Sequence, residues 1–341
     1  MSLVLITGAT GFIGSQVALH ILNAGYRVRL AIRRPEQGNK LRRVLVHEDQ
    51  IEFSIVPDIT IAGAFDASLQ DVQYIIHIAS PLASGGGADL LTPAVRGTVS
   101  ILESATKAHS VKKVVITASV LSLVSLGEVA NLDVVRETST VDYNIDVSKV
   151  TSLDPMGQYH ASKLASYKAT IDFVQTHQPP FDVVTLHPVF VFGRSLVQET
   201  AAELGGTNGM LFQTLVAEKP LMSQYLGVHV LDVADAHVRV LGDDVKGFES
   251  FLLSSDGRNW AEVQGFVRRE FPKFPLGWSG VEEKKRRYSV DAAKARRELG
   301  INFLGMERQV GDLLKQQMEL REGIQSASDG GGSRAGTLSY A

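Results

Sequence analysis

The 341-residue chain contains no cysteine, which excludes disulfides and thiolate chemistry and argues against a structural zinc centre. It also lacks a charge excess: 34 Lys and Arg against 37 Asp and Glu give a net charge of -3, so the electrostatic footprint of a nucleic-acid binder is missing. No apolar run approaches the roughly 20 residues that cross a bilayer, and no membrane partner is expected. The first strand pattern opens at Leu3, leaving no room for a signal segment before it, so a soluble cytoplasmic protein is expected. There is no internal repeat. What is present is a hydrophobic content of 44%, enough for a sizeable core, and a length that predicts about two domains or one large α/β domain with an appended part.

Leu3 to Ile6 is an unbroken apolar run, the pattern of a strand buried on both faces. Gly8, Gly11 and Gly14 follow at three-residue intervals, and Ile13, Val17 and Ile21 then recur with helical period. In that order a first glycine allows a sharp turn out of the strand and a second lets backbone approach a ligand. The third allows close helix–strand packing, while the free N–H groups of the helix N-terminus face an anion. A pyrophosphate suits this geometry. A glycine-rich turn alone has the same letters; the setting between strand and helix is what points to a nucleotide.

Tyr26 to Ile32 alternates like a second strand and ends at Arg33 and Arg34. An NAD site would carry an acid there for the ribose 2′-hydroxyl. A guanidinium fork matches a 2′-phosphate instead, so NADP is the expected cofactor, although two solvated arginines at a strand end look the same in sequence.

A helix is predicted over 35–46 and strands over 51–56 and 73–79. A helix over about 88–109 and a strand over 113–118 follow. This alternation predicts an α/β protein with a doubly wound parallel sheet and right-handed crossovers. Residues 120–156 break the rhythm and read as an excursion over the active site. A helix over 157–177 and a strand over 181–186 resume it. Later come a flexible loop from Gly205 to Gly209, helices over 232–241 and 260–271, a strand over 248–254, and a helix over 289–299 capped by Ser289 and Asp291. The expected organisation is a nucleotide-binding domain over 1–190 and a smaller, mainly C-terminal substrate region over 191–323. That region interleaves with late elements of the first domain, and a disordered tail over 324–341 follows it.

Tyr159 and Lys163 are four apart on the 157–177 helix and project from one face. A nearby ammonium favours a phenolate and readies a tyrosine for proton transfer, yet such a pair is also common on solvated faces. Ser119 lies just past the end of the fifth strand, where open α/β sheets bind ligands, and its hydroxyl suits a substrate carbonyl. Thr117 points the same way and either assists or packs. His77, His160 and His187 lack metal-ligand spacing, so no metal is expected. Asp232 and Asp235 read as helix caps and polar surface.

TGATGFIG, HIASP, PAVRGT, ITAS, YxxSK and HPVFVFG occur in the order found in the extended short-chain dehydrogenase/reductase family. Over about residues 3–320 the chain resembles its branch of dihydroflavonol reductases, cinnamoyl-CoA reductases and yeast-type methylglyoxal and ketone reductases. The resemblance implies a Rossmann-type fold and reduction of a small-molecule ketone or aldehyde with NADPH. It further implies that Gly8, Thr10, Gly11, Phe12, Ile13 and Gly14 line the pyrophosphate, that Arg33 holds the 2′-phosphate, and that Asp58 and Ile59 recognise adenine. Ala79, Ser80 and Pro81 would lie along the ribose and phosphate, with Thr117 also on the cofactor side and His187, Pro188 and Val189 beside the nicotinamide. Tyr159 would donate the proton, Lys163 would bind the nicotinamide ribose, and Ser119 would polarise the carbonyl.

The family also implies rivals: a hydroxysteroid-type dehydrogenase, a nucleotide-sugar epimerase or dehydratase that retains NAD, and, outside catalysis, an NADP-sensing protein. The Arg33-Arg34 pair argues against the epimerase, and Tyr159 with Lys163 against the sensor. Relatives work as monomers or homodimers. The chain departs from its branch in lacking a tryptophan after the acidic Glu137 and in the glycine run from Gly85 to Gly87. Both departures bear on substrate choice rather than reaction type.

Overall fold

Every side chain of Leu3–Thr7 is buried, as a strand with neighbours on both edges and helices on both faces requires. In the computed structural model, which describes residues 1–80, 89–278 and 288–329 (side chains through 322), this strand, β1, lies inside a seven-stranded sheet. Ten further strands follow in chain order: β2 (Arg27–Ile32), β3 (Ile51–Ile55), β4 (Tyr74–His77), β5 (Lys113–Thr117), β6 (Val134–Val135), β7 (Asp182–Pro188), β8 (Phe190–Phe192), β9 (Gly227–His229), β10 (Phe248–Leu253) and β11 (Ser289–Val290). The main sheet runs β3-β2-β1-β4-β5-β7-β10 with every pairing parallel. The chain builds outward from β1 through β2 to β3 and then returns to place β4 on the other side of β1. That reversal opens a crevice beyond the carboxyl ends of β1 and β4.

The helices are α1 (Phe12–Asn23), α2 (Gln37–Val44), α3 (Leu91–Lys107), α4 (Val147–Val150), α5 (Pro155–His177), α6 (Gly206–Val216), α7 (Val230–Arg239), α8 (Trp260–Glu270), α9 (Ala293–Glu298) and α10 (Met306–Asp329). Strand alternation divides the core between the two sheet faces. Val4 and Ile6 join Val17, Ala18 and Ile21 of α1. Leu3 and Leu5 join Ile101, Leu102 and Phe173 from α3 and α5. Each buried Val, Leu, Ile or Phe among them contributes about 1.5–3 kcal/mol relative to exposure.

A third, aromatic-rich core gathers Phe192, Leu211, Tyr225, Trp260, Trp278 and Leu313 from the C-terminal part of the chain. Lys113 fastens the base of β5 to the end of α7: its buried ammonium donates to the carbonyls of Val240, Gly242 and Val245 at 2.9, 2.7 and 2.6 Å. No helix among the described residues is long and apolar enough to cross a membrane.

The 120–156 excursion is mostly irregular. Two short 3₁₀ turns, β6, α4 and the first two residues of α5 are its regular pieces. It is tied back to the sheet where the Glu137 carboxylate accepts the Leu252 N–H at 2.9 Å.

Three sequence expectations need correction. Gly205 to Gly209 is not a loop: Gly205 is the N-cap of α6, whose burial of Leu211 and Leu215 outweighs the poor helix propensity of its glycines. Ser289 does not cap a helix but pairs with Val134 in a two-strand ladder, and α9 starts at Ala293, whose N–H Asp291 accepts at 3.1 Å. Helix α10 runs through residues 324–329, into the stretch expected to be tail. Residues 330–341, Pro81 and Gly85 to Gly87 lie outside the described residues.

Candidate active site

The crevice floor is the turn from β1 into α1. Gly8 has φ +76°, a left-handed conformation, and a Cβ there would sit 2.7 Å from the Ala79 nitrogen. A Cβ on Gly14 would sit 2.1 Å from the Gly8 oxygen, so this glycine lets helix and strand touch. Gly11 differs: a Cβ there meets only the Gly8 oxygen, at an ordinary 3.5 Å. The protein's own packing does not need glycine at 11, so the space above it is left for something else. Gly11 is also the N-cap of α1, with no side-chain cap and no acid in the first turn. The N–H groups of Phe12, Ile13 and Gly14 therefore point out of an uncapped, partly positive helix end. A cradle that a Cβ would fill, facing helix N–H donors, fits a dinucleotide pyrophosphate.

At the β2 exit, Arg33 and Arg34 are exposed, and Gln37 Oε1 organises the turn by accepting both their N–H groups at 2.9 and 3.2 Å. Asp58, after β3, is also exposed. Hydrogen bonds from the Thr60 hydroxyl and N–H, with the nearby Arg33 guanidinium, hold its carboxyl below the usual carboxylate range. Arg33 and Asp58 thus share one rim of the crevice, with the half-buried Ile59 beside them.

At the β4 exit the chain hangs from Thr7. Its Oγ1 accepts the Ile78 and Ala79 N–H groups, each at 3.1 Å, and donates to His77 Nδ1 at 3.0 Å. Burial, with help from the Lys163 ammonium, pushes the His77 imidazole down to about 4, so it is neutral and accepts this bond. Ser80 is thereby delivered to the crevice, and Lys163 Nζ donates to its hydroxyl at 3.0 Å.

Lys163 belongs to α5, whose start is fixed by Asp154 accepting the Gly157 N–H at 2.6 Å with Pro155 in the first turn. Its side chain is buried, and Nζ lies 5.5 Å from the centre of the Tyr159 ring one turn earlier. Tyr159 itself is half-buried, and its hydroxyl makes no hydrogen bond among the described residues.

Ser119, 7% exposed, follows β5 in extended conformation. Its Oγ accepts the Leu121 N–H at 3.2 Å, and among the described residues no group accepts its hydroxyl hydrogen. A hydroxyl satisfied as acceptor and free as donor can hydrogen-bond an incoming oxygen.

Other expected residues are engaged within the protein. Thr117 is half-buried beside Ala79, Ser80 and Lys163, and its hydroxyl is bonded within the protein: His237 Nδ1 donates to the Val233 carbonyl at 2.7 Å, so its Nε2 accepts the Thr117 hydroxyl at 2.7 Å. His187, Pro188 and Val189 are all buried, and both ring nitrogens of His187 are bonded inside the fold. His160 bonds the Val124 carbonyl at 2.8 Å. No group of three or more potential ligands that could hold a metal is found among the described residues. Asp235 is half-buried and pairs with Arg239, as expected of a polar residue at the surface. Asp232 instead is buried, accepts the Leu304 N–H at 2.9 Å, and is pushed up to about 6 by desolvation. His229, not Asp232, caps α7. Sequence reading missed Thr7, Gln37, Ser122 and His237; only Thr7 carried a signal, as a hydroxyl closing the strand before the glycines.

Comparison with known proteins identifies the family. Residues 4–251 match the profile of the family described as NAD dependent epimerase/dehydratase. The ketoreductase sphI of Aspergillus fumigatus is 37% identical, over 93% of this chain and 98% of its own. The structure of Gre2 from Candida albicans in complex with NADPH superposes with a TM-score of 0.81 at 26% identity, covering 94% of this chain and 99% of Gre2. Vestitone reductase from alfalfa gives 0.78 at 25% identity, covering 94% and 99%. The chain thus belongs to the NAD dependent epimerase/dehydratase family, the extended short-chain dehydrogenase/reductases, and is an oxidoreductase of the branch that includes these reductases.

Proposed function

We propose that the protein is an NADPH-dependent carbonyl reductase that converts a small-molecule ketone or aldehyde to an alcohol. The observation that carries this reading is the meeting of Tyr159, Lys163 and Ser80 beside the glycine turn, with Ser119 at the neighbouring strand end. The ketoreductase relatives and the NADPH complex of Gre2 support it. When bound, the reduced nicotinamide supplies a hydride for the carbonyl carbon. Ser119 donates its free hydroxyl hydrogen to the carbonyl oxygen and orients it. Tyr159 gives its hydroxyl proton to the same oxygen as charge builds there. The Lys163 ammonium stabilises the phenolate left behind and holds Ser80 at the cofactor side. Gly8, Thr10, Gly11, Phe12, Ile13 and Gly14 receive the pyrophosphate, Arg33 the 2′-phosphate, Asp58 and Ile59 the adenine, and Ala79 and Ser80 the ribose side.

NADPH consumption by the purified protein, measured against a panel of ketones and aldehydes, tests the proposal. Turnover of a member of the panel is the expected result; tight NADPH binding without turnover would favour a sensor, and NAD retained through purification an epimerase. Arg33→Ala should weaken NADPH binding by roughly 10–100-fold, the worth of a charge-assisted phosphate contact, and leave NADH nearly unchanged. Equal losses for both cofactors, read by fluorescence titration, would reject the 2′-phosphate role.

The glycines give a second check. Gly11→Ala should leave Tm close to the parent value and weaken NADPH binding by about tenfold or more, since the new methyl group meets ligand rather than protein. Gly14→Ala should instead lower Tm sharply, because its Cβ meets backbone. Thermal melts with and without cofactor separate the two.

A further inference from the structure

We infer that His187 is a positioning residue for Ser119, held in one tautomer by a hydrogen-bonded chain that begins on the face of α5 carrying Tyr159 and Lys163. This rests on the carbonyl reductase reading.

The direction of each bond follows from its partners. A carbonyl only accepts, so His187 Nδ1 carries the proton and donates to the Ser119 oxygen at 3.1 Å. The ring is fully buried, and burial pushes it down to about 4, so it is neutral and Nε2 is a bare acceptor. The Thr185 hydroxyl fills that site at 2.8 Å, in preference to the Glu249 carbonyl at 3.4 Å. With its hydrogen committed, Thr185 accepts from Ser250 at 2.8 Å, and Ser250 accepts from the Tyr167 hydroxyl at 2.9 Å. Tyr167 lies four residues after Lys163 and eight after Tyr159, on the same helix face. Its ring also packs edge-on against His187, with centroids 4.8 Å apart at 82°.

The far end of the chain fixes the serine. The Ser119 carbonyl receives both His187 Nδ1–H and the Ser122 hydroxyl, while Nδ1 also lies 2.9 Å from Ser122 Oγ. Together with the Leu121 N–H on its Oγ, these bonds set the backbone and side chain of Ser119 and leave its hydrogen for substrate. The donor helix and the polarising serine are thereby held in one frame. A fixed tautomer matters because the other one turns a lone pair toward the Ser119 carbonyl.

Thr185→Val keeps the side-chain shape and removes the donor to Nε2. The expected result is that the ¹⁵N signal of His187 Nε2 shifts as it loses its donor, while Nδ1 keeps its proton on the Ser119 carbonyl, and the ¹³C signal of that carbonyl moves. The kcat for ketone reduction falls about tenfold, the rate equivalent of one lost neutral hydrogen bond, with NADPH affinity unchanged. Thr185→Ser should restore all three. Ser250→Ala, one link further out, should move the same signals in the same direction by less, because a Thr185 hydroxyl that no longer accepts from Ser250 is a weaker donor to Nε2. An unmoved His187 Nε2 signal and an unmoved Ser119 carbonyl in both Thr185→Val and Ser250→Ala would overturn the inference, as would a loss of kcat that Thr185→Ser fails to recover. A parent protein that reduces no carbonyl would sink the reductase reading alone, since the two NMR signatures decide the role of His187 without turnover.

Discussion

Tyr159→Phe is expected to lower kcat by about 10²–10⁴-fold, the range for removal of a positioned proton donor, while NADPH affinity stays within about twofold. The variant keeps the aromatic ring that lies 5.5 Å from Lys163 Nζ, so the ammonium keeps its neighbour and its bond to Ser80. What disappears is the acidic phenolic hydrogen that Tyr159 offers beside the Lys163 ammonium. Ser119 still offers a hydrogen bond, but with no ammonium next to it the serine is a poor source of a full proton. Rapid-mixing and steady-state rates on the best carbonyl of the panel measure the effect, and retention of full activity would remove Tyr159 from the mechanism.

The second large effect is on acid stability. His77, His187 and His237 are fully buried, and desolvation pushes each down to about 4, against 6.5 in the unfolded chain. Between those values the unfolded state binds more protons, so the stability of the fold rises with pH and is lost as pH falls from about 6.5 toward 4. Asp232 works the other way: its folded value of about 6 exceeds the ordinary 3.8, so near pH 5 the folded state holds one extra proton. Three histidines outweigh one aspartate. Unfolding near pH 5 should take up a net of about two protons, or about 3 kcal/mol of stability per pH unit. Denaturant titrations at pH 5, 6 and 7 test this, and a free energy of unfolding that does not change over that range would contradict it. Since His77 bonds Thr7 at the β4 exit, His187 bonds the Ser119 carbonyl and His237 bonds Thr117 at the end of β5, activity should be lost in the same window.

The parts legible in sequence are those whose signal is local. The β1 strand, the glycine turn and the start of α1 are one continuous stretch whose spacing follows from backbone sterics. Tyr159 and Lys163 are paired by helical period alone. The α/β alternation also survives, because parallel strands buried on both faces read as apolar runs. What could not be read depends on partners far away in sequence. Thr7 meets His77 seventy residues on, and His187 meets Ser119 from another strand. The glycines of α6 look like a loop until the aromatic core beneath Leu211 and Leu215 is known. Ser289 has the letters of a helix cap, and only the distant Val134 makes it a strand residue. Asp232 looks like surface because nothing nearby announces Leu304. In each case tertiary contact overrides local propensity.

The most direct test of the reductase account is isotopic. The purified protein is given NADPH carrying deuterium at the transferable position of nicotinamide C4 together with a ketone from the panel, and the alcohol is analysed by mass spectrometry and NMR. Deuterium on the carbinol carbon, in one stereochemical form, is the expected result. An alcohol without deuterium at that carbon, or no alcohol from any member of the panel despite tight NADPH binding, would contradict the assignment of the crevice as a hydride-transfer site.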